Sequence, residues 1–203
     1  DVYKRQAARA MQQETQASEV LLASDADDPA LAEFPAVYDV LLRGTAHRFV
    51  NVTHSALFPQ NAAVVLLDAG MEGPAVQTYE QSSTSTTTIP LRAGEGALRV
   101  MALPPDAAPQ PEVLLDEPHL FTNFVKLYGY NQPDPEPGHP FLWRLYWHPA
   151  DNPRPEDYHF FNHLLDASGQ RVAQADAAAF PARQWQPGDA VISPVSYTHL
   201  TLP

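Results

Sequence analysis

Pro104-Pro105-Asp106-Ala107-Ala108-Pro109-Gln110-Pro111 is the stretch that decides how this chain is organised. Four prolines in eight residues hold the backbone extended, remove backbone donors and exclude a helix. The stretch is a stiff linker, and the hydrophobic pattern changes across it. Before it, helix-period and strand-period runs alternate; after it only strand-period runs remain. This predicts an α+β protein: a small mixed α/β unit over residues 7–103, the linker over 104–111, and an all-β unit over 112–194.

Upstream of the linker, residues 97–103 read as a strand that follows a turn at Gly94 and Gly96. The Gly94-Glu95-Gly96 start of a dinucleotide loop is not completed, because Arg99 stands where the third glycine belongs and a strand follows. Further back, 48–53, 62–67 and 76–80 read as strands, and the Thr-rich 81–88 as a loop or an edge strand. Asp28 followed by Pro29 is a helix-start signature. Phe34, Val37, Tyr38 and Leu41 then form one apolar face, with Gly44 placed to end the helix. Residues 19–23 (EVLLA) suit a short buried strand, and the Ala- and Gln-rich 7–17 suits a helix.

Downstream, 121–130, 141–148 and 158–166 are aromatic-rich strand runs between proline-rich loops. Asp166-Ala167-Ser168-Gly169 is a turn that pairs 158–166 with 170–176 as a hairpin. Pro187-Gly188 is a further turn before a short strand over 189–193. An immunoglobulin-like sandwich uses ~7 strands in ~100 residues. These five strands therefore read as such a sandwich cut before its last strands. The segments 1–6 and 195–203 resemble peptides translated from sequencing-adapter DNA and are set apart as artefactual ends.

Composition narrows the function classes. The formal net charge is -12, and Lys4 and Lys126 are the only lysines, so the chain cannot neutralise a run of phosphates. Nucleic acid and anionic membrane surfaces are thereby excluded as partners. The absence of cysteine removes disulfides, thiolate metal sites and thiol nucleophiles. No apolar run approaches the ~20 residues of a membrane span, so direct membrane insertion is not expected. The 21 prolines among 203 residues require short elements and many loops.

Each constellation that suggests chemistry has a simpler reading. His159 and His163 share a strand face but stand ~13 Å apart at ~3.3 Å per residue, too far to share one zinc. Asp25, Asp27 and Asp28 lack the glycine and distal glutamate of a calcium loop, and capping accounts for Asp28. No Gly-x-Ser-x-Gly elbow occurs, and no pair of acids stands out for glycoside hydrolysis. Asn51-Val52-Thr53 matches a glycosylation sequon, a pattern too short to carry weight. Trp143, Tyr146, Trp147 and Trp185 suggest a sugar-stacking platform. Alternation places Trp143, Leu145 and Trp147 on one face, read as core, and Arg144, Tyr146 and His148 on the other. Tyr146 and His148, facing outward, are the candidate sugar-contact surface. No catalytic, cofactor-binding or metal-binding residue is assigned.

Several segments of the second half occur together in one family: Leu127-Tyr128-Gly129-Tyr130, Leu145-Tyr146-Trp147, the run 158–166 (YHFFNHLLD), Ala167-Ser168-Gly169-Gln170 and Gln184-Trp185-Gln186-Pro187-Gly188. They resemble the C-terminal β-sandwich module of bacterial multispanning membrane glycosyltransferases similar to dolichyl-phosphate-mannose–protein mannosyltransferases. Residues 34–42, 47–51 and 90–96 resemble the soluble segment that precedes that module. The pattern departs at Asn162, where valine is commoner. The resemblance implies a non-catalytic, extracytoplasmic C-terminal region of an enzyme that uses polyprenyl-phosphate sugars at a bacterial membrane. The catalytic carboxylates of such enzymes lie in a membrane-embedded part outside this sequence, which would be the chain's principal partner, with carbohydrate as a second. The alternative is a secreted carbohydrate-binding or adhesion module; a free-standing hydrolase with unrecognised acids is a third.

Overall fold

A computed structural model describes residues 10, 12–13, 16–91, 94, 96–121, 125–131, 141–150, 159–178 and 180–197. These residues are mostly β-strand with two helices, an α+β arrangement. The chain divides into two compact units, residues 1–109 and 110–203. No helix among the described residues is long and apolar enough to cross a membrane.

The first unit runs β1 (Glu19–Ser24), α1 (Glu33–Leu41), β2 (His47–Asn51), β3 (Ala56–Phe58), β4 (Ala63–Asp68), α2 (Pro74–Ser82), β5 (Ser85–Pro90) and β6 (Ala97–Leu103). Its sheet has the order β2-β1-β4-β6-β5. β1 pairs in parallel with β2 and β4, whereas β4–β6 and β5–β6 are antiparallel. Tyr38 and Leu42 of the α1 region pack with Val20, Leu22, Val64, Leu66, Leu98 and Val100 on one face. Leu21, Val65, Leu67 and Met101 alternate onto the other face and are also buried. Burial on both faces explains why β1 and β4 are near-continuous apolar runs. On that second face α2 packs against β6, and the Tyr79 hydroxyl pins β3 by accepting from Leu57 N at 2.7 Å and donating to Leu57 O at 3.1 Å.

Three expectations for this unit need correction. The run 76–80 is helical, not a strand. Pro74 opens α2 with a preset φ, and Ala75, Val76 and Tyr79 are buried at i, i+1 and i+4, a helical spacing. Asp28 caps a turn rather than the helix: its side chain accepts from Ala30 N at 2.8 Å, and its carbonyl accepts from Leu31 N and Ala32 N. Helix α1 starts later, after Ala32, with Pro35 in a first turn whose N–H groups have no intrahelical acceptor. Of the predicted apolar face, Phe34, Tyr38 and Leu41 pack inward, while Val37 is exposed. Of the Thr-rich 81–88, Gln81 and Ser82 end α2 and the part from Ser85 enters edge strand β5, and Gly44 has the positive φ that ends a helix. Ala10, Gln12 and Gln13 are helical; the rest of the helix expected before residue 16 lies outside the described residues.

In the second unit β7 (Val113–Leu120), β8 (Val125–Tyr130), β9 (Phe141–Pro149) and β14 (Ala190–Tyr197) are neighbours in the antiparallel order β14-β9-β8-β7. The short strands β10 (His159–Phe160), β11 (His163–Leu165), β12 (Arg171–Gln174) and β13 (Ala177–Ala178) form the ladders β11–β12 and β10–β13. Asp166 Oδ1 closes the turn between β11 and β12 by accepting from Ser168 N, Ser168 Oγ and Gln170 N, and Gly169 supplies the positive φ.

The single strand expected over 158–166 is in fact two. It breaks at Phe161 and Asn162, where Asn162 Nδ2 donates to Ala175 O at 3.0 Å and Asn162 O accepts from Ala175 N at 2.9 Å. β7 went unread because Asp116, Glu117 and Pro118 interrupt its alternation; as an edge strand it tolerates the proline. The last strand, expected over 189–193, extends further, into residues 195–197. β14 continues through them, with Val195 opposite Trp143 and Tyr197 opposite Phe141, and both Val195 and Tyr197 are buried. Apolar β-formers facing a complementary strand are held by it whatever their local signature suggests. Residues 1–6 and 198–203 lie outside the described residues.

Candidate functional site

The site arises from β8 and β9. Trp143, Leu145 and Trp147 share one face of β9, as alternation requires. Across from them Leu127 pairs with Trp147 and Tyr130 pairs with Leu145. Two residues of β8, one even-numbered and one odd, thus face the same way because the register shifts between Leu127 and Gly129. The extra residue is Tyr128, and this bulge swings Tyr130 onto the face of Val125 and Leu127. Gly129 makes the bulge feasible: a Cβ there would lie 2.7 Å from the Val113 carbonyl oxygen and against the Pro111 ring.

Over this face lies the 159–163 segment. Phe160 stacks on Trp147 with ring centroids 4.3 Å apart and planes at 17°, and Phe121 tilts against Trp147 at 5.7 Å. Between the layers is a cavity of about 670 Å³, its apolar walls formed chiefly by Leu127, Tyr130, Trp143, Leu145, Trp147 and Phe160. That volume lies within the ~300–1,000 Å³ typical of small-molecule sites. The break at Phe161 and Asn162 brings His159, Asn162 and His163 to the same cavity, which an unbroken strand would not do. His163 Nε2 stands 3.8 Å from Asp176 Oδ1. The indole Nε1 atoms of Trp143 and Trp147 have no hydrogen-bond partner among the described residues, whereas Trp185 Nε1 donates to Phe180 O at 2.7 Å. Trp185 is core.

The opposite face of β9 departs from expectation. Tyr146, placed on the outward sugar-contact surface, is 2% exposed. Tyr128 packs edge-on against it at 6.0 Å, and the Asn131 side chain hydrogen-bonds its hydroxyl. Neighbouring β14 is buried at Val191, Ile192 and Ser193 in succession, so the sheet is covered on both sides here. His148, the other candidate, is half-buried; it stacks on Tyr128 at 4.0 Å and donates from Nδ1 to Asp189 O at 2.7 Å. Burial, then the neighbouring Tyr146, pushes the Tyr128 phenol up to about 12, and burial also raises Tyr146. Both phenols are neutral at physiological pH and cannot act as bases there. Among the described residues no three His, Asp or Glu side chains converge as metal ligands. Of the expected residues, then, Trp143 and Trp147 are brought together at a cavity and Tyr146 and His148 are packed away from it. Strand alternation exposed the tryptophan face in the sequence; the bulge at Tyr128 and the break at Asn162 gave no such signal.

No protein-family model, no curated protein and no solved structure matches this chain.

Proposed function

We propose that the chain is the non-catalytic, extracytoplasmic C-terminal region of a bacterial membrane glycosyltransferase that uses polyprenyl-phosphate sugars. Its second unit, in this reading an immunoglobulin-like sandwich, caps the membrane-embedded part or helps to bind acceptor. The supporting observation is where the family-like segments fall. Leu127-Tyr128-Gly129-Tyr130 carries the β8 bulge, Leu145-Tyr146-Trp147 is the centre of β9, and Ala167-Ser168-Gly169-Gln170 is the β11–β12 turn. Gln184 to Gly188 leads into β14, with Asp189 Oδ2 accepting from Gln186 N at 2.6 Å. Segments that resemble one module thus fall at a bulge, a strand centre, a turn and a strand entry of one unit. The test is the reading frame upstream of residue 7: encoded membrane spans support the proposal, and a cleavable signal peptide directly before it overturns it.

A second reading, a secreted carbohydrate-binding or adhesion module, draws on the aromatic cavity of the second unit. Saturable binding of an oligosaccharide by a chain preceded by a signal peptide would favour it.

A further inference from the structure

We infer that the cavity between the β8–β9 face and the 159–163 segment binds a neutral ligand built on an unbranched apolar chain. The walls set the chemistry. They are aliphatic and aromatic, and no lysine or arginine lines the cavity among the described residues. With a chain charge of -12 and Asp176 beside His163, an anionic headgroup would be repelled. A polyol would lose most of its hydration without replacement, because Asn162 already donates to Ala175 O and few other polar groups remain. The indole N–H groups of Trp143 and Trp147 are sealed from solvent and offer a ligand no donor, so a polar end must stay at the cavity mouth.

Shape points the same way. Trp143 and Trp147 lie four residues apart on one strand, about 13 Å along β9. The apolar lining then runs out to solvent through Phe121, 40% exposed, and Phe161, 70% exposed. An elongated ligand that follows β9 and reaches this apolar mouth covers surface that a compact ring would leave wet.

The test uses the full 203-residue chain and 1-decanol, with decanoate and maltotriose as comparison ligands. Titration is followed by tryptophan fluorescence, since two of the three tryptophans line the cavity. The expected result is saturable 1-decanol binding, weaker binding of decanoate and none of maltotriose. Leu145→Trp fills the cavity and should abolish binding, with circular dichroism reporting whether the fold is kept. Absence of saturable 1-decanol binding to the unaltered chain would overturn the inference, as would preference for maltotriose. Undiminished affinity in a folded Leu145→Trp variant would do the same. The outcome is independent of the upstream reading frame, so this inference and the proposed function can fail separately.

Discussion

Trp147 is 5% exposed, sandwiched between Phe160 and Phe121, yet its indole N–H has no partner. Packing and polarity therefore pull in opposite directions at one side chain. Trp147→Ala should cost ~3–5 kcal/mol in chemical denaturation, through lost contact and the cavity it enlarges. Trp147→Phe, which removes the orphaned donor and keeps an aromatic ring, should cost under ~1.5 kcal/mol. Tyr128 offers a pH signature. Its folded-state value of about 12 lies above the unfolded ~10, so the neutral phenol favours folding. That stabilisation is complete below pH ~10 and is lost as pH rises towards ~12, an effect on the order of 2 kcal/mol. Tyr128→Phe should accordingly flatten the fall in stability across this window, as read from urea midpoints. At this scale the sequence was half legible. Alternation placed Trp143, Leu145 and Trp147 together, but exposure of Tyr146 depended on what covers the second face, which strand period cannot report.

Two element-level devices carry much of the geometry. The first is the β8 bulge, which rests on the absence of a side chain at Gly129 beside Pro111 and Val113. Gly129→Ala should push β7 from β8 and cost ~1–3 kcal/mol, with loss of amide-exchange protection confined to those two strands. The second is the buried pair of Glu19 on β1 and Arg48 on β2, where Arg48 Nε and Nη2 each donate to a carboxylate oxygen at 2.7 Å. Arg48→Ala leaves the carboxylate buried beside β2 and should cost ~3–5 kcal/mol, measurable by thermal unfolding. Replacing both residues by apolar side chains of similar volume should restore most of that loss. Strands β1, β2 and β4 and the body of α1 were legible from their apolar runs, whereas β3 was not and Asp28 misplaced the start of α1. Segment 76–80 was misread because Val76 and Glu80 are compatible with a strand until Pro74 is read as a helix opener. The strand 158–166 was misread because a break stabilised by the Asn162 side chain and the Ala175 carbonyl leaves composition unchanged.

At the scale of the whole molecule, the described residues form an apolar cavity in the second unit, and no three of their His, Asp or Glu side chains converge as metal ligands. The purified chain should show no turnover of a polyprenyl-phosphate sugar and no glycosidase activity; product formation by the chain alone would overturn its reading as a non-catalytic region. The proline-rich 104–111 contains the boundary at which the chain divides, between Pro109 and Gln110. The sequence by itself determined the predominance of short strands and the change of pattern across the prolines. It also determined the apolar face of β9, because φ restriction and side-chain period act within a few residues. Only the tertiary structure decided that residues 195–197 complete β14, that Tyr146 is buried, and that a bulge and a broken hairpin enclose a cavity. Those outcomes depend on pairing and packing between segments distant in sequence, where each side chain's environment is supplied by a partner that local pattern does not contain.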